Sequence, residues 1–187
     1  MAMVAANTEW TVDMLDELPE DGNRYELFDG ELVVTPAPTD VHQLIAGELY
    51  ARLQSYLRSF TVGRALVSPA DVRREDRKRN RVQPDVFVVK LTDGKRPAYP
   101  YDLGELLLAV EVVSPSSART DYQRKRDLYV GAGVEYWVID AEAHTIAVWR
   151  NGVTSGALFT ETLTWQAGGM ETSIVIDLHE FFTTALS

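Results

Sequence analysis

Two apolar, β-branched runs dominate the middle of this chain, and each carries one carboxylate. They are Val82-Gln83-Pro84-Asp85-Val86-Phe87-Val88-Val89 and Leu106-Leu107-Leu108-Ala109-Val110-Glu111-Val112-Val113. Runs of this length and composition read as buried strands. A buried strand has little tolerance for a lone charge, which costs roughly several kcal/mol or gives up its ionisation. Two such strands, each with its acid expected near the C-terminal end, imply acids that share a cation. For an all-oxygen site the simplest choice is Mg2+ or a close relative.

The rest of the chain supplies elements to surround these strands. Thr11 to Leu18 reads as a short helix capped by Thr11 and stopped by Pro19. Arg24 to Phe28 and Glu31 to Val34 flank Asp29-Gly30, a two-residue hairpin signal. Asp40 opens an amphipathic helix to about Phe60, with Ile45, Leu49, Leu53 and Leu57 on one face and Leu44 and Tyr56 alongside. Thr61 to Arg74 holds strand-like pieces broken near Pro69. Lys90 to Gly104 is a Pro/Gly/Asp-rich loop. Asp121 to Val130 reads as a helix ended by Gly131 or Gly133, and Val134 to Ile139 as a strand. Thr145 to Trp149 and Val153 to Phe159 form an expected hairpin around Asn151-Gly152. A strand at Ile174 to Ile176 and a helical turn at Leu178 to Phe182 close the chain. The order predicts an α/β (α+β) fold, with a mixed sheet flanked by helices and a right-handed crossover through the Asp121 helix.

Composition narrows the function. The 187 residues, 45% of them hydrophobic, suit one domain spanning 1–187, with residues 1–9 a loose terminus. There are no cysteines, which excludes disulfides, thiolate zinc sites and a cysteine nucleophile. No apolar run is long enough for a membrane span and no signal peptide is legible, so a cytoplasmic location with no membrane contact is expected. The net charge of −10 opposes non-specific nucleic-acid binding by the whole surface. Base-rich stretches are nevertheless local: Arg73, Arg74, Arg77, Lys78, Arg79 and Arg81 in one, Arg119, Arg124, Lys125 and Arg126 in the other. They read either as a basic rim for a phosphodiester or as solvated surface.

Spacing on the Asp121 helix adds a cation. Asp121, Lys125 and Tyr129 lie four apart and share a face. If that helix packs just after the Glu111 strand, Lys125 can point at the two acids; otherwise it forms a surface pair with Asp121. The ordered set Pro84-Asp85, Glu111-Val112-Val113-Ser114-Pro115-Ser116, Asp121-Lys125-Tyr129 and Ala132-Gly133-Val134-Glu135-Tyr136-Trp137 resembles a large bacterial restriction endonuclease family of the PD-(D/E)XK nuclease superfamily. Tyr25-Glu26-Leu27-Phe28-Asp29-Gly30-Glu31-Leu32 and the Pro38 to His42 stretch resemble it too, so the likeness covers roughly Arg24 to Asp140. In the wider superfamily the lysine follows its acid by two residues on the same strand. That position here is Val113, and the resemblance implies a lysine moved onto the helix as Lys125.

The resemblance implies a restriction-endonuclease-like fold and metal-dependent cleavage of nucleic acid, with DNA as the expected substrate. Asp85 and Glu111 would bind Mg2+, replaceable by Mn2+, with help from the backbone carbonyl of Val112. Lys125 would stabilise developing charge. Glu26, on a strand with apolar neighbours, is a further acid for the site or an outward-facing strand residue. His42, in the first turn of the long helix, is a phosphate contact or proton carrier, or else an ordinary helix-start residue. A homodimer is expected, because cutting two strands needs two sites. Two other readings stay open: a binding or regulatory module that keeps the nuclease fold without activity, and a metal-dependent phosphohydrolase of a small substrate. No glycine-rich phosphate loop supports the latter.

Overall fold

The apolar runs become strands of a sheet covered on both faces. The structure is a computed structural model that describes residues 3–4, 9–74, 77–113, 119–153 and 155–187, with the side chains of 3–4, 77–78 and 119–122 outside that description. In chain order the elements are β1 (Met3–Val4), α1 (Val12–Leu15), β2 (Arg24–Phe28), β3 (Glu31–Thr35), α2 (Asp40–Leu57), β4 (Gly63–Val67), β5 (Val72–Arg74), β6 (Arg77–Val82) and β7 (Val86–Lys90). There follow β8 (Tyr101–Asp102), a 3-10 turn at Leu103–Glu105, β9 (Leu106–Val113), α3 (Arg119–Gly131), β10 (Glu135–Asp140), β11 (Thr145–Trp149), β12 (Ala157–Phe159), β13 (Thr162–Trp165), β14 (Ile174–Asp177) and α4 (Leu178–Leu186).

A central sheet runs β12-β11-β10-β9-β7-β4, an outer sheet β1-β3-β2-β6-β5-β8, and β13 pairs with β14. The central sheet is mixed: β9 and β10 are parallel, joined through α3, while β7 is antiparallel to β9. Alternation divides its side chains. Val86 and Val88 join Ile45, Leu49 and Leu53 of α2 on one face. Phe87 and Val89 join Phe28, Val72 and Val82 of the outer sheet and Tyr129 of α3 on the other. Burial on both faces is why these runs show no polar alternation.

Helix α2 presents Ile45, Leu49, Leu53 and Leu57 to the core, all fully or nearly fully buried. Each contributes about 1.5–3 kcal/mol of burial. Leu44, expected beside that face, is 51% exposed, because a neighbour in sequence is rotated about 100° off the stripe. The Asp29-Gly30 hairpin forms as expected, both residues having positive φ (49° and 87°), as a type I′ turn requires. Helix α3 runs through Gly131. Gly133, at φ 80°, then reverses the chain, with Val134 N–H donating to the Tyr129 carbonyl and Gly133 N–H to that of Val130, a Schellman end.

Several expectations are corrected. The Asp85 run is not one strand. Pro84 lacks an N–H and cannot continue a ladder, so the chain leaves the outer sheet at Val82 and enters the central sheet at Val86. Asp85 therefore sits before the start of β7, not near the C-terminal end of a strand. The N-terminal helix stops at Leu15, and Thr11 makes no side-chain cap. Met3–Val4, in the segment expected to be loose, pair with Val33 and Val34. The C-terminal hairpin pairs Ala157–Phe159, not Val153 onward, with β11. Strand β13 was not legible as such, and α4 extends to Leu186. The Ser114-Pro115-Ser116 motif and the tip at Glu75-Asp76 lie outside the described residues. No helix among the described residues is long and apolar enough to cross a membrane.

Candidate functional site

Strand parity gathers the acids. In β2, Tyr25 and Leu27 pack away from the central sheet with Trp10, Leu15 and Leu32, whereas Phe28 lies in the core between the sheets. Arg24 and Glu26 share the parity of Phe28 and so face the central sheet. The β7–β9 ladder begins at Val86, which pairs with Val110. Just ahead of it, Asp85 N–H donates to the same Val110 carbonyl at 3.0 Å, one residue off the ladder's register, which sets Asp85 beside the Val110–Val112 segment that carries Glu111.

Two helices supply the remaining groups. Lys125 and Tyr129, one turn apart on α3, point at the same acid: Lys125 Nζ is 3.0 Å from Glu111 Oε2, and the Tyr129 hydroxyl donates to Glu111 Oε1 at 3.5 Å. Lys125 Nζ also lies 3.0 Å from Glu26 Oε2. The Thr39 hydroxyl accepts from His42 N–H at the start of α2, fixing the first turn. From there His42 Nε2 reaches Asp85 Oδ2 at 2.9 Å. Arg24 closes the cluster, with Nη2 donating to Asp85 Oδ1 at 2.7 Å and Nη1 lying 3.9 Å from Glu111 Oε2.

The outer contacts are equally specific. Val112 N–H donates to Asp85 Oδ2 at 2.8 Å. Gln83 N–H donates to Glu26 Oε1 at 2.9 Å, and its side-chain amide donates to Asp71 Oδ1 at 2.8 Å. Arg24 Nη1 donates to the Gln83 carbonyl at 3.3 Å. Glu26, Asp85, Glu111 and Lys125 are all buried, so these pairs are poorly screened.

Burial alone drives Asp85 toward its neutral form, but the His42 hydrogen bond and the Arg24 charge reverse this and hold it well below the usual carboxylate range. Glu111 goes the other way. Burial dominates, the charges of Asp85 and Glu26 add to it against the pull of Lys125, and Glu111 is pushed up to about 8. Burial disfavours the Lys125 ammonium, yet Glu111 and Glu26 outweigh it and raise the group above its ordinary value. The site thus favours the neutral form of Glu111 and the charged form of Asp85.

The five side chains singled out in sequence, Glu26, His42, Asp85, Glu111 and Lys125, converge in one cluster. Glu26 faces inward, and Lys125 pairs with acids of the sheet. The side chain of Asp121, its alternative partner, lies outside the described residues. For Val112 the described contact is its N–H to Asp85. Sequence reasoning missed Arg24 and Gln83. The available signal was parity: Arg24 precedes Glu26 by two, as Gln83 precedes Asp85. In the basic hairpin, Arg73, Arg79 and Arg81 are engaged in internal pairs. Arg81 pairs with Asp16 and Asp71, Arg73 with Asp71 and Asp16, and Arg79 with Glu9. Arg124 pairs with Glu31 and Arg126 with Asp127.

Three carboxylates converging without sulfur fit a hard divalent cation. Arg24, His42 and Lys125 already partner the facing oxygens, and among the described residues no group of three or more His, Asp or Glu is arranged as a ready metal cage. A cation drawing on Asp85 Oδ1, Glu26 Oε2 or Glu111 Oε2 takes an oxygen already paired with Arg24 or Lys125.

The family model described as "Uma2: Putative restriction endonuclease" matches residues 12–173. No curated relative matches the chain. Among solved structures, the chain is similar to the crystal structure of a protein described as a putative nuclease belonging to DUF820, from Anabaena variabilis ATCC 29413. The TM-score is 0.76 at 19% identity, covering 94% of this chain and 99% of that one. At that identity the likeness establishes a shared fold, a mixed α+β one in which helices flank mixed sheets.

Proposed function

Because the chain belongs to the Uma2 family, whose members are described as putative restriction endonucleases, we propose that it is a Mg2+-dependent endonuclease that hydrolyses phosphodiester bonds of DNA. One observation carries the reading: Lys125 Nζ lies 3.0 Å from Glu111 Oε2, on the strand segment whose Val112 N–H holds Asp85 Oδ2 at 2.8 Å. Two acids and a lysine at one point are what phosphodiester hydrolysis uses, although the lysine arrives from a helix.

Asp85 and Glu111 would hold the cation, with the Val112 carbonyl beside them. A divalent ion there supplies a Lewis acid to the phosphoryl oxygens. Lys125 donates to the oxygen that gains charge, from a position already pre-organised by Glu26. His42 carries a proton. Asp85 holds its Nε2 edge, which leaves Nδ1, buried and without a partner among the described residues, as the second proton site. A homodimer would offer one such site to each strand of a duplex.

The test is cleavage of supercoiled DNA, single-stranded DNA and RNA in Mg2+, Mn2+ and EDTA, with Asp85→Asn alongside. Wild-type cleavage that EDTA and the substitution both abolish is the expected outcome. Cleavage that persists in Asp85→Asn would sink the assignment. One observation favours a second reading, a nuclease-fold module without activity: both oxygens of Asp85 already have protein partners. Folded protein silent on all three substrates, with no Asp85-dependent Mn2+ binding, would select it.

A further inference from the structure

We propose that Arg24 is an internal counter-cation that a metal must displace from Asp85, and that the released guanidinium then takes a phosphate. The inference rests on the nuclease reading above.

Arg24 spans the two acids assigned to the metal. Its Nη2 lies 2.7 Å from Asp85 Oδ1 and its Nη1 3.9 Å from Glu111 Oε2. A cation drawing one oxygen from each acid approaches that same pair, and two cations cannot crowd onto it without strong repulsion in a buried site. Lys125 is not the competitor. Its pairs are with Glu26 and Glu111, so at Asp85 Oδ1 the partner to be displaced is Arg24.

Arg24 is also built to leave. It is the first residue of β2, and its side chain keeps 14% of its surface exposed where that of Asp85 keeps 2%. One remaining anchor, the Gln83 carbonyl at 3.3 Å, would hold the freed group beside the site. A guanidinium fork matches a phosphate as well as it matches a carboxylate. One side chain would thus balance the metal-free site and, once displaced, bind the substrate class that the site serves.

The two halves carry opposite signs, which a purely structural arginine does not produce. Calorimetry with Mn2+ alone is to be compared for wild type, Arg24→Gln, Arg24→Lys and Asp85→Asn, with folding followed by circular dichroism. Removing a charge-assisted competitor should tighten Mn2+ binding by about ten- to a hundredfold in Arg24→Gln. Inorganic phosphate titrated into the Mn2+-loaded proteins should bind Arg24→Gln at least about tenfold more weakly than wild type. Arg24→Lys keeps the charge but not the fork, and should move both affinities in the same directions by less. It carries the test if Arg24→Gln does not fold. Mn2+ affinity that is unchanged or weaker in the Arg24 variants, or phosphate affinity that is undiminished, overturns the proposal while leaving the nuclease reading in place. Mn2+ binding that survives Asp85→Asn, or is missing from wild type and both Arg24 variants alike, overturns the metal site and this inference with it.

Discussion

Lys125 on helix α3 places its ammonium 3.0 Å from Oε2 of Glu111 on strand β9, reaching from a helix the point that the strand's own Val113 does not serve. The contact lies in the interior, where Lys125 and Glu111 are 7% and 5% exposed. It is therefore not an ordinary surface pair worth a few tenths of a kcal/mol.

Lys125→Met should therefore cost metal-free stability, by about 3 kcal/mol or more in urea denaturation, because Glu26 and Glu111 lose their shared cation. Cleavage should fall by about a hundredfold or more, the usual loss for one pre-organised donor. Mn2+ affinity should be undiminished, since a positive neighbour has been removed. A wild-type cleavage rate would refute the assignment of the lysine.

Asp85 and Glu111 should respond differently to substitution. Two neighbouring acids repel, and on that ground alone removing either one would relieve the repulsion. The structure reverses this for Asp85, whose oxygens accept from Arg24, His42 and the Val112 N–H. Asp85→Ala strands those donors and should cost about 3–5 kcal/mol. Glu111→Gln replaces a group that already favours its neutral form and should cost less than about 1 kcal/mol. Equal losses in the two variants, read by urea denaturation at pH 7, would contradict this asymmetry.

The same contrast sets the pH dependence of the metal-free protein. Glu111 has a folded-state pKa pushed up to about 8 from an ordinary value of 4.5. The folded state therefore binds that proton more tightly than the unfolded state. Its contribution is complete below about 4.5 and is lost as pH rises through about 8. Asp85 has a depressed folded-state value, so its contribution is present above the ordinary carboxylate range and is lost as pH falls through and below it. Melting temperature should peak between these limits in EDTA, and Glu111→Gln should flatten the alkaline limb. An alkaline limb equally steep in that variant would place the titrating group elsewhere.

His42→Ala should lower cleavage by about a hundredfold or more and should retain Asp85-dependent Mn2+ binding. The pH–rate profile carries the discriminating information: loss of a proton carrier alters its shape, whereas loss of a merely structural side chain scales it uniformly. A profile of unchanged shape would leave His42 as a holder of Asp85.

The Glu111 strand, the Val134 to Ile139 strand, the long helix, the Asp29-Gly30 turn and the crossover helix were legible because local rules govern them. Apolar runs bounded by turn residues mark strands, a four-residue repeat marks α2, and Gly133 ends α3. The acids stood out because Asp85 and Glu111 interrupt runs that otherwise exclude charge. Lys125 and Tyr129 were marked by i,i+4 spacing alone.

What the sequence determined is thus the inventory: which segments are strands or helices, and which few charged residues lie among apolar neighbours. Tertiary structure decided the pairings. The break at Pro84 carries Asp85 from one sheet to the start of another, so its place beside Glu111 follows from its contacts with Val110 and Val112 of β9, a segment distant in sequence. The same packing turns the Arg24–Glu26 face of β2 inward and engages Arg73, Arg79 and Arg81 of the basic hairpin in internal pairs. Charges in a buried site are selected by partners a few ångströms away, and chain proximity says little about which distant residues those partners are.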